Sequence, residues 1–224
     1  ARRVVEARGT SWLGCALDTV LGTGVQTARA AIDAGAIGHP VAATATWVSA
    51  GHEAWHPHPD FYYREGGGPL LDMGPYYLTT LFHLLGPVAR VTGTSSRPRS
   101  TRTIASGPRA GEVIPVEIDT HVTGALEHVS GSVSTVTFSF DAPFSDAAPL
   151  EVYGETGTLS VPDPNFFDGE VRVRRGRHDE WRTVTERAGY DDAGRGIGIL
   201  DRVVAGSDRT DADIAQHVLE TMTA

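Results

Sequence analysis

The chain contains no lysine; all 19 of its basic residues are arginine. That absence excludes a Schiff base, a lysine at a phosphate loop and a lysine general acid from its own repertoire. Cysteine is almost absent as well. Cys15 stands alone, so no internal disulfide and no cysteine-rich metal site can form. A single thiol suits a reducing compartment, and a cytoplasmic location is expected. No apolar run approaches the roughly 20 residues that cross a bilayer, so no membrane span is expected. Positive charge is scarce too. Against 28 acidic residues the 19 basic ones leave a net charge of −9, which gives no general attraction to phosphate backbones and makes nucleic acid a poor partner.

What remains is an ordinary globular composition. With 224 residues, 40% of them hydrophobic, there is enough chain for one large core, or one domain plus part of another. Residues 1–8 read as a helix tail ended by Gly9, and residues 11–15 as a short buried strand. Helix then strand at a chain start resembles the last unit of an alternating α/β sheet. The first 20 residues are therefore read as the remnant of a nucleotide-binding Rossmann domain, with the true N-terminus upstream of Ala1. Residues 21–224 are read as a substrate-binding and oligomerisation domain.

Within that second domain, residues 25–34 read as a helix and 41–48 as a strand. Residues 51–68, rich in proline, histidine, glycine and aromatics, read as a long functional loop. Residues 69–85 give the strongest helix. Leu70, Met73, Tyr77, Leu81 and Leu84 recur at spacings of three or four before Gly86-Pro87. The period then changes to two, with strands expected over 89–93, 120–126, 132–140, 150–154, 158–161, 171–174 and 181–185. Consecutive strands without intervening helices imply an antiparallel meander. Helices over 198–205 and 211–222 close the chain. The fold class is α+β: an open, mostly antiparallel sheet with helices on one face.

The stretch Gly66-Gly-Gly-Pro-Leu-Leu-Asp-Met-Gly-Pro-Tyr-Tyr77 is the most informative. Glycines admit positive φ or a close backbone approach, and Pro69 suits a first helical turn. Asp72 and Tyr76 lie four apart on one helix face near its positive end, where a carboxylate is favoured as the anion. Together they offer a proton acceptor and a hydroxyl donor, as alcohol oxidation requires. The same residues also admit a structural role, with Asp72 satisfying first-turn amides and Tyr76 in the core. Gly74 and Pro75, both poor helix residues, point to a special packing need.

The run from Trp55-His-Pro-His-Pro-Asp-Phe-Tyr-Tyr through the glycine–aspartate motif resembles the second domain of the Gfo/Idh/MocA oxidoreductases, named for glucose–fructose oxidoreductase and inositol dehydrogenase. Residues 32–41 and 152–159 are similar to the family's helix-to-strand turn and sheet turn. The resemblance implies a Rossmann domain binding NAD or NADP, followed by a mostly antiparallel sheet domain. The family's catalytic aspartate falls on Asp72. Its usual histidine falls on Tyr76, where some members also carry tyrosine. The family's lysine and glycine-rich phosphate loop have no counterpart here, which implies that about 100–130 upstream residues are missing.

Gly22-Thr-Gly24 before a helix lacks the third glycine and preceding strand of a dinucleotide fingerprint, and a plain loop is the better reading. His52, His56 and His58 with Glu53 match no defined zinc spacing, so substrate hydrogen bonding is preferred to a metal. Trp55, His56, Tyr62, Tyr63 and Arg64 are expected to form a sugar pocket, aromatic faces meeting ring carbons and polar tips meeting hydroxyls. Arg172, Arg174, Arg175 and Arg177 read as a solvated strand edge.

The expectation is an NAD(P)-dependent dehydrogenase of a sugar, polyol or related hydroxy compound, with Asp72 and Tyr76 catalytic and the cofactor held mainly upstream. A non-catalytic sensor or scaffold of the same fold, or a lyase or epimerase using NAD transiently, are the alternatives. A homo-oligomer built on the open face of the sheet is also expected.

Overall fold

The computed structural model describes residues 2–7, 9, 13, 15, 18–190 and 211–224. Helices α1 (Arg2–Ala7), α2 (Thr23–Asp33), α3 (Pro69–Leu85) and α4 (Asp211–Thr223) accompany ten strands among these residues. The strands are β1 (Pro40–Val48), β2 (Val88–Ser96), β3 (Thr101–Thr103), β4 (Val113–Pro115), β5 (His121–His128), β6 (Val133–Ser139), β7 (Leu150–Gly154), β8 (Thr158–Val161), β9 (Arg172–Arg174) and β10 (Arg182–Thr183). Eight of them form one sheet in the order β10-β9-β8-β7-β1-β6-β5-β2, and β3 pairs with β4 apart from it.

The mostly antiparallel sheet with helices on one face matches the expected class. One pair departs from a pure meander. β1 lies between β7 and β6 and runs parallel to β6, with Ala45 opposite Val136 and Trp47 opposite Phe138. A parallel neighbour needs a crossover, and here the chain crosses through α3, which packs on β1, β5 and β6. The strand expected over 11–15 and the helix over 198–205 fall wholly or mostly outside the described residues.

Period and burial agree on which sheet face is the core. Ala43, Ala45, Val136, Phe138, Leu150, Val152 and Leu159 are buried beneath Ala28, Ile32, Met73, Tyr77, Leu81 and Leu84 of α2 and α3. The alternate residues make the other face, and threonine dominates it. Thr94, Thr123, Thr137 and Thr46 sit side by side across β2, β5, β6 and β1.

The helix α3 begins at Pro69, whose missing N–H costs nothing in the first turn. Its packing explains the two residues that helices avoid only in part. A Cβ on Gly74 would come within 3.0 Å of Met222 Sδ and of Leu70 Cδ1, so the glycine lets α4 settle on α3. Pro75 also lies inside the helix and gives no N–H to the carbonyl one turn back; nothing in the structure explains why proline stands there. The arginine-rich strand β9 is one strand in from the edge that sequence reading gave it, because β10 pairs outside it.

Candidate active site

The chain enters α3 through three glycines with different tasks. Gly66 takes a positive φ of 87° in the turn. Gly67 lies against the preceding loop so closely that a Cβ would stand 2.4 Å from the Phe61 carbonyl oxygen. Gly68, at φ 97°, is the residue before the helix, and its carbonyl accepts the N–H of Asp72 at 3.0 Å. No side chain caps the first turn. The Asp72 carboxylate turns instead to the loop, where its Oδ2 is 2.7 Å from Nε2 of His52. The capping role that the sequence also allowed is therefore not the one this side chain takes.

His52 is the centre of the site. Its ring is buried and lies 4.3 Å from the Tyr62 ring, 4.7 Å from Phe140, 5.1 Å from Trp55 and 5.9 Å from Trp47, centroid to centroid. The Trp55 indole N–H donates to its Nδ1 at 3.2 Å. Burial, with the charge of Asp72 adding to it, pushes the Tyr62 hydroxyl above the ordinary phenol range. Tyr62 thus stays a hydroxyl donor across the neutral range, next to an anionic acceptor.

Beneath the loop an ionic knot fixes the backbone that carries His52. The Arg102 guanidinium, 1% exposed, donates to Glu53 at 2.9 Å and pairs with Asp141. It also donates to the carbonyls of Ala50 and Phe140, each at 3.0 Å. Glu53 accepts from the Tyr63 hydroxyl, which itself accepts the His52 backbone N–H at 3.1 Å. Thr120 donates to Asp141 at 2.6 Å. Gly51, at φ 106°, leaves room for all this, since a Cβ there would meet Glu53, Tyr63 and Arg102 within 3 Å. On the outside, Arg109 from the β3–β4 connection grips both oxygens of Asp60 at 2.5 and 3.2 Å, which holds the Asp60 carboxyl below its usual range.

The site residues expected from sequence divide into two groups. Trp55, His56 and Tyr62 come together around His52 and Asp72, joined by Phe61, which sequence reading passed over. Tyr63 must be corrected: it is fully buried among Ile104, Ile114, Val116 and Phe140, and its hydroxyl serves the knot. Burial, and after it the Glu53 hydrogen bond, raises its pKa well beyond the phenol range. Arg64 is exposed just after the 3-10 turn Asp60–Tyr63; its carbonyl accepts the Gly67 N–H at 2.8 Å, and its charge lowers the Asp60 carboxyl after Arg109. Tyr76 lies one turn beyond Asp72, partly buried against the core. His52 as the partner of Asp72, and Arg102 beneath both, were not singled out from the sequence.

At the start of α2, Gly22-Thr-Gly24 does not fit a dinucleotide's phosphates. A Cβ on Gly22 would collide with the Phe167 backbone at 2.2 Å, and the Gly24 N–H already donates to the Phe167 carbonyl at 3.0 Å. A helix start crowded in this way, with the Gly24 amide already bonded, is not open to a pyrophosphate as a glycine-rich phosphate turn is. The described residues thus contain no phosphate cradle at that position. Among them there is also no cluster of three metal-ligating side chains, and no helix is long and apolar enough to cross a membrane.

This architecture has relatives. An NAD-binding oxidoreductase from Klebsiella pneumoniae superposes over 99% of this chain and 68% of its own, at 21% identity and a TM-score of 0.73. Levoglucosan dehydrogenase, solved with NADH and L-sorbose, matches 92% of this chain and 61% of its own, at 20% identity and a TM-score of 0.68. An oxidoreductase from Agrobacterium radiobacter, solved with NAD+, L-tartaric acid and magnesium, matches 100% and 64%, at 19% identity and a TM-score of 0.67. At such identities the likeness is one of fold, and the chain spans only about two thirds of the length of these proteins. No curated protein sequence matches it. The model of the GFO/IDH/MocA C-terminal domain, however, matches residues 25–160, from the start of α2 to the end of the central strands and across the whole glycine–aspartate turn. By that match over more than half its length, the chain belongs to the GFO/IDH/MocA family, as its C-terminal domain.

Proposed function

We propose that this chain is the substrate-side domain of an NAD(P)-dependent oxidoreductase acting on a sugar, polyol or related hydroxy compound. The observation that carries the reading is the pairing of Asp72 with His52 beside an aromatic surface. One carboxylate oxygen is held by the imidazole, and the other is left for a substrate hydroxyl. Family membership supports the redox class, and the NADH or NAD+ bound in related solved structures supports the cofactor.

In this reading the substrate ring lies on the faces of Trp55 and Phe61, which are 59% and 56% exposed. Apolar ring carbons meet the aromatics while hydroxyls meet Asp72 and Tyr62. Asp72 accepts the proton of the reacting hydroxyl, and Tyr76, on the same helix face, donates or relays a hydrogen bond. A nicotinamide, when bound, supplies the hydride acceptor. It would be held by a domain outside this chain, the start of α2 being crowded by Phe167. The threonine face of the sheet, free of helices among the described residues, is the surface we assign to self-association.

The test is Asp72→Asn in the full-length protein, assayed by release of NADH with sugars and polyols. A positioned proton acceptor predicts a fall in kcat of roughly 10²–10⁴-fold with the fold retained. Turnover equal to the parent would overturn the reading. A transient-redox lyase or epimerase would convert substrate without net NADH, and a sensor would bind sugar without converting it.

A further inference from the structure

Trp55 is an exposed tryptophan with an inward hydrogen bond. Most of its ring meets solvent, yet its indole nitrogen is 3.2 Å from Nδ1 of His52. Indole N–H donates and cannot accept, so Nδ1 of His52 must present its lone pair. The ring proton is then on Nε2, 2.7 Å from Asp72 Oδ2, where it donates to the carboxylate. The two contacts together allow one protonation state: a neutral imidazole in the Nε2–H tautomer. A second proton on Nδ1 would set N–H against N–H.

The surroundings of the ring reinforce this. Asp72 faces it from α3, Tyr62 from the 3-10 turn, Trp47 from β1 and Phe140 from the end of β6. Of these, Asp72 alone carries charge. His56 stands one ring further out, against Trp55 and Tyr62. Glu53, next in the chain, turns its carboxylate away to Arg102 and Tyr63. Set against a proton on the outer nitrogen is the Trp55 N–H, on an imidazole whose inner nitrogen already touches a carboxylate.

We propose that Trp55 is a positioning residue that acts as a tautomer lock. It holds His52 neutral, so that Asp72 keeps a proton-accepting oxygen instead of being neutralised in an imidazolium–carboxylate pair. This rests on the proposed role of Asp72. An imidazolium beside Asp72 would stabilise the carboxylate as an anion and make it a poorer proton acceptor. The same side chain that offers a face to the sugar thereby sets the basicity of the group that attacks its hydroxyl.

Trp55→Phe separates the two roles, because it keeps an aromatic face at an exposed position and removes only the N–H and the second ring. Two-bond proton–nitrogen NMR on the 15N-labelled chain, with the His52 signals identified by their loss in His52→Gln, reads the tautomer directly. We expect the Nε2–H pattern in the parent. In Trp55→Phe the doubly protonated pattern should set in about one pH unit higher, the shift that one neutral hydrogen bond corresponds to. In the full-length enzyme the acid limb of kcat should move upward by a similar amount, whereas a mere stacking wall would raise KM and leave the limb in place. An Nδ1–H pattern in the parent, or a Trp55→Phe chain whose His52 signals titrate as in the parent, overturns the lock. Full turnover in Asp72→Asn would instead sink the function proposed above, and the NMR result would still decide the lock by itself.

Discussion

Arg102 offers the sharpest test of how the site is held. Its side chain is 1% exposed and meets Glu53 and Asp141, themselves only 10% and 12% exposed. In Arg102→Met the apolar stem is largely kept, but two carboxylates and the carbonyls of Ala50 and Phe140 lose their donor. Removing one partner of a buried ion pair costs about 3–5 kcal/mol, because an uncompensated charge stays in a poorly solvated site. For a chain of this size each kcal/mol lowers Tm by about 2–4 °C, so a drop of roughly 6–20 °C is expected. Adding Glu53→Gln and Asp141→Asn removes the orphaned charges and should recover a good part of that loss. Thermal melts followed by circular dichroism decide the matter. A single variant within about 3 °C of the parent, or a triple variant no more stable than the single, would refute the argument from desolvation.

Further outcomes follow from the same structure. Gly67→Ala should cost about 1–3 kcal/mol in a urea titration, since the added Cβ meets main chain and not a flexible side chain; an unchanged midpoint would count against the close approach. Burial holds His128 below the ordinary histidine range, with Nδ1–H donating to Gly86 and Nε2 accepting from Ser134. A depressed value in the folded state means that the unfolded chain takes up the proton first. Stability from this group is therefore complete above about pH 6.5 and is lost as pH falls below it, so His128→Gln should flatten the acid side of a stability–pH curve. Tyr76→Phe in the full-length enzyme should lower kcat less than Asp72→Asn, and Tyr76→His should retain activity; equal losses in all three would deny Tyr76 a subsidiary role. Titrating the chain alone with NADH by calorimetry should show no low-micromolar binding, and a tight complex would mean that a phosphate cradle lies within this chain, away from the start of α2.

How far the sequence reaches depends on whether an interaction is local or brought about by the fold. Helix α3 was legible to the residue, because its apolar spacing, Pro69 and Gly86 are all local signals. The strands β7 and β8 were equally legible from alternation bounded by the turn between them. The hairpin β3–β4 was not, since three-residue strands with one buried position each carry too little period to see. The same limit decided the site. Asp72 and Tyr76 could be paired on paper because one helix carries both, whereas His52 reaches Asp72 across 20 positions and Arg102 reaches Glu53 across 49. Tyr63 shows the converse error: one residue beyond Tyr62, it shares its neighbour's chemistry, but the 3-10 turn rotates it into the core. A loop rich in aromatics and histidine therefore announces a binding surface without saying which rings face out. The buried charges beneath it, invisible to local pattern, help to fix the backbone from which His52 points at Asp72.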